Sequence, residues 1–156
     1  MKNDIKKTIE VLNDLVKINN DRVAGYEKAK ERAGGMQLDI IRLFNEMIDQ
    51  SHLFADRLQS EILAYGGEVE KGTTIMGKVY RAWMDLKVTF SGDDRQSILN
   101  SCELGEDAAQ KAYDSALEEE DITESAISLI LLQKSELRDA HDRVKKFRDN
   151  KVSNSL

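Results

Sequence analysis

Five acidic and histidine residues are candidate metal ligands, because their spacing could bring them together inside a helical bundle. Asp49 and His52 are three positions apart, which puts both side chains on one face of an α-helix. Pairs of iron or manganese ions in four-helix bundles are held by a Glu from each of two helices and a Glu-x-x-His unit from each of the other two. The candidate ligands are therefore Asp49, His52, Glu106, Glu136 and His141.

This candidate ligand set is incomplete for a two-ion centre. Arg138 stands three residues before His141, where a carboxylate is needed, and Glu136 is five residues away, on the wrong side of the helix. The first helix carries neutral Asn19 where a glutamate is needed. A hard cation needs several anionic oxygens to offset the loss of its hydration shell. We therefore predict no cofactor and keep iron or manganese as the alternative.

The two histidines and Glu106 also have structural explanations. A histidine on a partly apolar stripe is more often hydrogen-bonded to a neighbour or directed to solvent than bound to a metal, and this holds for His52 and His141. A glutamate at the edge of a core usually pairs with a cation, here Lys111 or Arg138. The structural explanation is the favoured one for all three residues.

Other polar residues on the predicted apolar stripes have structural interpretations as well. Asn19 and Tyr26 could orient a small ligand, but a buried polar network that fixes the register of the helices is the favoured interpretation. Cys102 could be a redox-active thiol. Its stripe position instead predicts burial, where thiols are unreactive.

The composition indicates one α-helical domain. The 156 residues are 40% hydrophobic and 33% charged and include no proline, as expected for long helices that each bury one stripe. A net charge of −6 disfavours a nucleic-acid partner. No apolar run approaches the roughly 20 residues that cross a bilayer, so we predict no membrane span. One cysteine and no secretory signal pattern predict a cytoplasmic location.

Apolar residues spaced by three and four predict two long helices in the first half of the chain. Glycine pairs at 34–35 and 66–67 supply the left-handed backbone that commonly ends a helix. About two residues separate the two helices, so we expect an antiparallel hairpin.

The second half predicts a short helix and two further long ones. A short amphipathic helix is expected over Ile75 to Phe90. Ser91 with Asp94, and Asp121 with Glu124, have the spacing of a helix cap and its third-position acid. The expected buried stripe of the last helix is Ile127, Ile130, Leu131, Leu137, His141, Val144 and Phe147.

The segment between the second and third long helices is too long for a tight turn. Its short helix would span about 24 Å at about 1.5 Å per residue, so the segment could return along the bundle and leave those two helices parallel. We therefore predict an all-α, ferritin-like four-helix bundle with a short crossover helix between the second and third long helices. A five-helix meander is the alternative. The bundle is expected to be one domain, residues 1–150, followed by a short polar tail, residues 151–156.

Three stretches of the chain resemble an uncharacterised bacterial family of ferritin-like four-helix-bundle proteins, a domain of unknown function. They cover residues 12–29, 80–117 and 135–149, and their most specific marks are RAWMDLK, ILNSCELGEDAAQKAY and the late HD pair. The resemblance implies the fold. It implies no activity, because the family has no settled one.

The absence of catalytic motifs shifts the functional hypotheses away from an enzyme. No GxxxxGK[ST], GxSxG, CxxC or HExxH pattern occurs. The leading hypothesis is a non-catalytic bundle that acts by self-association, as a dimer, or with another protein, in stress physiology like many ferritin-like relatives. A divergent di-metal oxidase or metal-binding protein is the alternative, and small-ligand binding between the helices is a third hypothesis.

The short crossover helix contains the predicted interface. Aromatic residues and methionine are enriched at protein interfaces, and Tyr80, Trp83 and Met84 would form such an anchor set if part of it is exposed. The alternative is that Trp83 only covers the bundle.

Overall fold

The computed structural model describes residues 2–34, 37–70, 76–86 and 92–150, with side chains from residue 4 onward. These ranges contain α1 (Lys2–Ala33), α2 (Leu38–Ala64), α3 (Lys78–Leu86), α4 (Arg95–Glu118) and α5 (Glu124–Asp149). The described ranges include no strand, which confirms the all-α prediction. Among these helices, none combines the length and apolar character that crossing a membrane requires.

Short connections join the long helices into two antiparallel hairpins. The first connection begins at Gly34 with φ of 66°, and α2 is followed by Gly66 with φ of 77°. Both glycines therefore have the left-handed backbone predicted for helix ends. The connection between α4 and α5 also has a left-handed residue, Asp121, with φ of 64°.

Contacts at the two ends of the bundle define how the hairpins run relative to each other. At one end, Tyr65 after α2 contacts Thr123 before α5, and Lys7 of α1 lies 3.4 Å from Glu119 after α4. At the other end, Arg95 of α4 lies 2.6 Å from Asp39 of α2. The N-termini of α2 and α4 therefore lie at one end of the bundle, and their C-termini lie at the other. These helices run parallel, so the segment containing α3 is the predicted crossover.

The crossover helix α3 is fixed to α1 by two carboxylates. Asp14 accepts hydrogen bonds from the backbone amides of Gly77 and Tyr80, at 2.9 and 3.0 Å, and so caps α3 from another helix. Asp21 accepts from the Tyr80 hydroxyl at 2.8 Å and from the Trp83 indole at 2.9 Å. A Cβ atom at Gly77 would collide with the carboxylate of Asp14, so the close approach requires glycine.

The predicted helix starts differ from the observed ones in two places. Asp94, expected as the third-position acid of α4, is its N-cap and accepts from the amide of Ser97 at 2.8 Å. Thr123, and not Asp121, caps α5 and accepts from the amide of Ala126 at 3.3 Å. Asp121 belongs to the preceding turn because its backbone is left-handed.

Several predicted boundary residues fall outside the described ranges. The helix expected over Ile75 to Phe90 is described from Lys78 to Leu86. Ile75, Phe90 and Ser91 lie outside the described residues, as does the predicted polar tail at 151–156.

The buried face of α5 differs from the predicted stripe. Its buried residues are Ala126, Ile130, Gln133, Leu137, Ala140 and Val144. Leu131, expected to be buried, is 51% exposed. Ile130, Leu137 and Val144 are buried as predicted, but alanines and a glutamine occupy the other half of the core-facing positions, so the large apolar residues alone miss half of this face.

The apolar core is divided into two clusters along the bundle axis. One cluster contains Val11–Ile18 of α1 with the second half of α2, and the other contains Tyr26–Ala33 with the first half of α2. On α4 the two clusters are likewise separated, between Cys102 and Ala108. Polar side chains fill the level between the clusters, and we call this level the middle layer. Its members are Asn19, Arg22, Ser51 and Glu106.

The carboxylate cap on α3 gives a testable prediction. Asp14→Ala removes the acceptor for two backbone amides, so we expect α3 to loosen and the free energy of unfolding to fall by about 1–2 kcal/mol. The chain has one tryptophan, Trp83, and its fluorescence should shift to the red while far-UV circular dichroism changes little. Glu31→Ala, at an exposed position of α1, is the matched control. Equal stability and equal emission spectra in the two variants would contradict the capping role.

Candidate functional site

The middle layer contains a buried ion pair between α1 and α4. Arg22 Nε lies 2.9 Å from Glu106 Oε2, and Arg22 Nη2 lies 2.8 Å from Glu106 Oε1. The two side chains are 4% and 2% exposed. Both carboxylate oxygens therefore accept from one guanidinium, which is the strongest geometry for such a pair.

Arg22 makes two further side-chain contacts. Nη1 donates to Ser51 Oγ at 2.9 Å, and Nη2 contacts the sulfur of Met47 at 3.4 Å. The guanidinium lies 5.5 Å from the centre of the Tyr26 ring, within range of a cation–π interaction. The arginine therefore connects α1, α2 and α4.

The charges in the middle layer shift the ionisation of its neighbours. Burial lowers the pKa of Arg22, but the charge and hydrogen bonds of Glu106, together with Tyr26 and Tyr113, more than offset this, so the pKa lies above the usual arginine value. Burial, and then the charge of Glu106, raise the pKa of both the Tyr26 phenol and the Cys102 thiol. These groups therefore stay protonated at neutral pH, which fits the predicted unreactive thiol.

A second polar network lies beside the ion pair and links all four long helices. Asn19 Nδ2 of α1 donates to Tyr113 OH of α4 at 2.9 Å. That hydroxyl donates to Gln133 Oε1 of α5 at 2.7 Å, and Gln133 Nε2 donates to the carbonyl of Phe54 in α2 at 3.1 Å. Burial raises the pKa of the Tyr113 phenol, which keeps the donor in place. This is the register-fixing role predicted for Asn19, with Tyr113 and Gln133 as its partners.

The buried donor atoms do not match what a di-metal centre needs. Among the described residues, two carboxylates are buried, Asp14 and Glu106. Asp14 caps α3, and both oxygens of Glu106 are bonded to Arg22. Two metal ions need several free anionic oxygens, whereas the middle layer has one carboxylate with a resident positive charge. These residues therefore do not fit a di-metal centre.

Three of the five predicted ligands lie outside the core. Asp49 and His52 are exposed on α2. Glu136 of α5 is 40% exposed and lies 3.6 Å from Arg57 of α2. None of the three faces the middle layer.

The other two predicted ligands lie in different places. Glu106 pairs with Arg22, where the sequence suggested Lys111 or Arg138 as its partner. His141 lies at the seam between α4 and α5, the groove where these two helices meet at the surface. Its Nε2 is 2.7 Å from Asp107 Oδ1 and 3.9 Å from Glu103 Oε1.

The predicted interface residues of α3 are mostly covered by the chain itself. Tyr80 is 1% exposed and Trp83 is 5% exposed, whereas Met84 is 46% exposed. Both aromatic side chains bind Asp21 of α1. Trp83 therefore covers the bundle, as in the alternative interpretation, and only Met84 is open to a partner.

Sequence reasoning missed Arg22, although a signal for it existed. Arg22 is three residues after Asn19 and four before Tyr26, so it continues the buried stripe of α1. A charged residue at such a position usually extends its charge to solvent. The seam residue Asp107 was also missed, and its spacing of four from Glu103 on one helix face was the available signal.

The chain matches a family model and is similar to several solved structures. The family, described as a domain of unknown function, DUF2383, matches residues 7–119. A mutant of the Dps1 protein of Mycobacterium smegmatis superposes with a TM-score of 0.82 at 17% identity, over 96% of this chain and 99% of that chain. The structure of ferritin-like, diiron-carboxylate proteins from Bacillus anthracis strain Ames gives 0.65 at 19% identity, over 94% and 96%. The search of curated proteins returned no match. Similarity at these identities shows the ferritin-like fold alone.

The buried ion pair gives a prediction about its contribution to the stability of the bundle. Arg22→Met should lower the free energy of unfolding by about 3–5 kcal/mol, because it leaves the carboxylate of Glu106 buried without a counter-ion. The double variant Arg22→Met, Glu106→Met should regain most of that loss, since neither charge remains. Urea denaturation followed by circular dichroism measures both values. A single variant as stable as the unmodified chain would show that the pair does not contribute in this way.

Proposed function

The chain belongs to the DUF2383 family of domains of unknown function, and on that premise we propose that it is a non-catalytic ferritin-like bundle that acts by association with a second copy of itself or with another protein. The observation that carries this proposal is the Arg22–Glu106 pair in the middle layer. Residues 1–150 act as one domain in this proposal. We propose stress physiology as its setting, by analogy with many ferritin-like relatives.

The ion pair argues against redox chemistry inside the bundle on grounds of charge and geometry. The guanidinium supplies a fixed positive charge where metal ions would otherwise balance the carboxylates. Its bonds to Glu106 and Ser51 hold three helices together. The middle layer thus resembles a structural device for helix register more than a reaction centre.

Exposed leucines on α5 support an association role. Leu131 and Leu132 are each 51% exposed, and neither belongs to the core of its own chain. Large exposed apolar side chains that adjoin each other are typical of contact surfaces. We propose that this part of α5 contributes to a dimer, with another protein as the other possible partner. The net charge of −6 disfavours nucleic acid, and we place the protein in the cytoplasm.

The rival proposal is a divergent iron or manganese oxidase or store that uses Asp49, His52, Glu106, Glu136 and His141. It requires Arg22 to leave Glu106, and it requires exposed side chains of α2 to turn inward. Protein purified from metal-supplemented cells discriminates between the two proposals by elemental analysis. The rival predicts two ions per chain, whereas less than about a tenth of an equivalent of iron or manganese would exclude it. Small-ligand binding between the helices is a third proposal with no specific observation in its favour.

Sedimentation velocity tests the association role. We expect the unmodified chain to sediment as a dimer, and we expect Leu131→Glu, Leu132→Glu to shift it to monomer because buried charges without partners oppose association. Leu104→Glu is the matched control, since Leu104 is 53% exposed on α4 and should leave the dimer intact. If the unmodified chain is a strict monomer over the micromolar range, the dimer is excluded. If it also captures no partner protein from cells, the association role is excluded as well.

A further inference from the structure

The seam between α4 and α5 brings together three metal-binding side chains that are not part of the middle layer. Glu103 and Asp107 are one turn apart on α4, and His141 projects from α5. One ligand atom from each of the three lies within 4.8 Å of the other two. Ligand atoms around one ion, each about 2.0–2.2 Å from it, can be at most about 4.4 Å apart. Small rotations of these side chains therefore suffice to place all three on one ion.

The imidazole of His141 is already oriented for such a role. Its Nδ1 lies 3.1 Å from Asp142 Oδ1, while its Nε2 faces Asp107 and Glu103. A histidine that binds a metal almost always gives its other ring nitrogen to a carboxylate or carbonyl, which fixes the tautomer and the ring.

We propose that Glu103, Asp107 and His141 form a mononuclear site for a divalent first-row transition ion of the zinc class. Two carboxylates and one imidazole suit such an ion, and two negative charges balance its charge. The site differs from an interior di-metal centre because it lies at the surface seam, where Asp107 is 47% exposed. Solvent can therefore reach the ion and complete its coordination.

Arg148 competes with the ion for Glu103. Its guanidinium pairs with Glu103 Oε2, while its second amino group lies 2.9 Å from Asp149 Oδ1. Arg148 is 25% exposed in the last turn of α5, so it can move aside and keep its bond to Asp149. The arginine thus balances the charge of Glu103 when no ion is bound, and its positive charge opposes an entering ion, although it pairs with Oε2 and His141 faces Oε1.

This competition distinguishes a metal site from an ion-pair network that only closes the seam. In a metal site, removal of Arg148 takes away a competing positive charge and strengthens the binding of the ion. In a network whose function is closure, removal of Arg148 weakens the seam and creates no affinity for a metal. The two interpretations therefore predict opposite effects of one substitution.

Competition between the protein and a chromophoric chelator for Zn²⁺ measures this directly. Protein stripped with EDTA should bind one Zn²⁺ per chain. His141→Ala should weaken binding at least about 10-fold, and Arg148→Met should tighten it severalfold. His52→Ala is the matched control, because His52 is the other histidine of the chain and lies exposed on α2. Zn²⁺ should also raise the thermal midpoint of the unmodified chain and of His52→Ala, but not of His141→Ala.

Several outcomes would overturn the proposal. Equal Zn²⁺ affinity in His141→Ala and the unmodified chain would mean that binding is adventitious. An unchanged or weaker affinity in Arg148→Met would mean that Arg148 and Glu103 form only a structural pair. Circular dichroism of each variant verifies that the bundle is intact, so a lost signal cannot be attributed to unfolding. The proposal is independent of the association role, since neither test uses the other's surface.

Discussion

The structure depends on one electrostatic constraint, which is that a guanidinium and a carboxylate buried in the centre of the bundle must meet in a two-bond geometry. Moving the two charges out of water is costly. Their mutual attraction repays that cost only if the geometry is close to ideal. Arg22 meets that requirement with Glu106 on one side and Ser51 on the other. A shift of any of the three helices by one turn would break these bonds. The pair thus favours one alignment of the three helices, which burial of apolar side chains alone would not specify.

The network of Asn19, Tyr113 and Gln133 extends this constraint to the fourth long helix. Apolar clusters on both sides of the middle layer provide most of the burial, but Leu, Ile and Val side chains can repack after a shift of register. Hydrogen bonds between neutral buried side chains do not tolerate a shift of register, because each unmade bond leaves a buried polar group without a partner. The two polar networks therefore specify the arrangement that the apolar clusters stabilise. This division of roles needs no bound ion in the core.

Much of the fold could be predicted from the sequence, because it follows from local signals. Spacings of three and four mark the helices, and the glycines at 34 and 66 mark their ends. The crossover follows from the length of the segment that contains α3. The middle layer could not be predicted in the same way, since Arg22 and Glu106 are 84 residues apart and their pairing depends on how two hairpins dock. Half of the buried face of α5 was missed for a related reason, because Ala126, Gln133 and Ala140 acquire their burial only from the neighbouring helices.

The capping of α3 by Asp14 has a consequence for how the chain folds. A helix of nine residues is too short to persist alone in water, where about 12–15 residues are marginal even for good helix formers. The start of α3 is also completed by a side chain that belongs to α1, more than sixty positions earlier in the chain. Both facts make α3 a dependent element that forms once α1 is in place. Closure of the crossover therefore cannot precede the formation of α1.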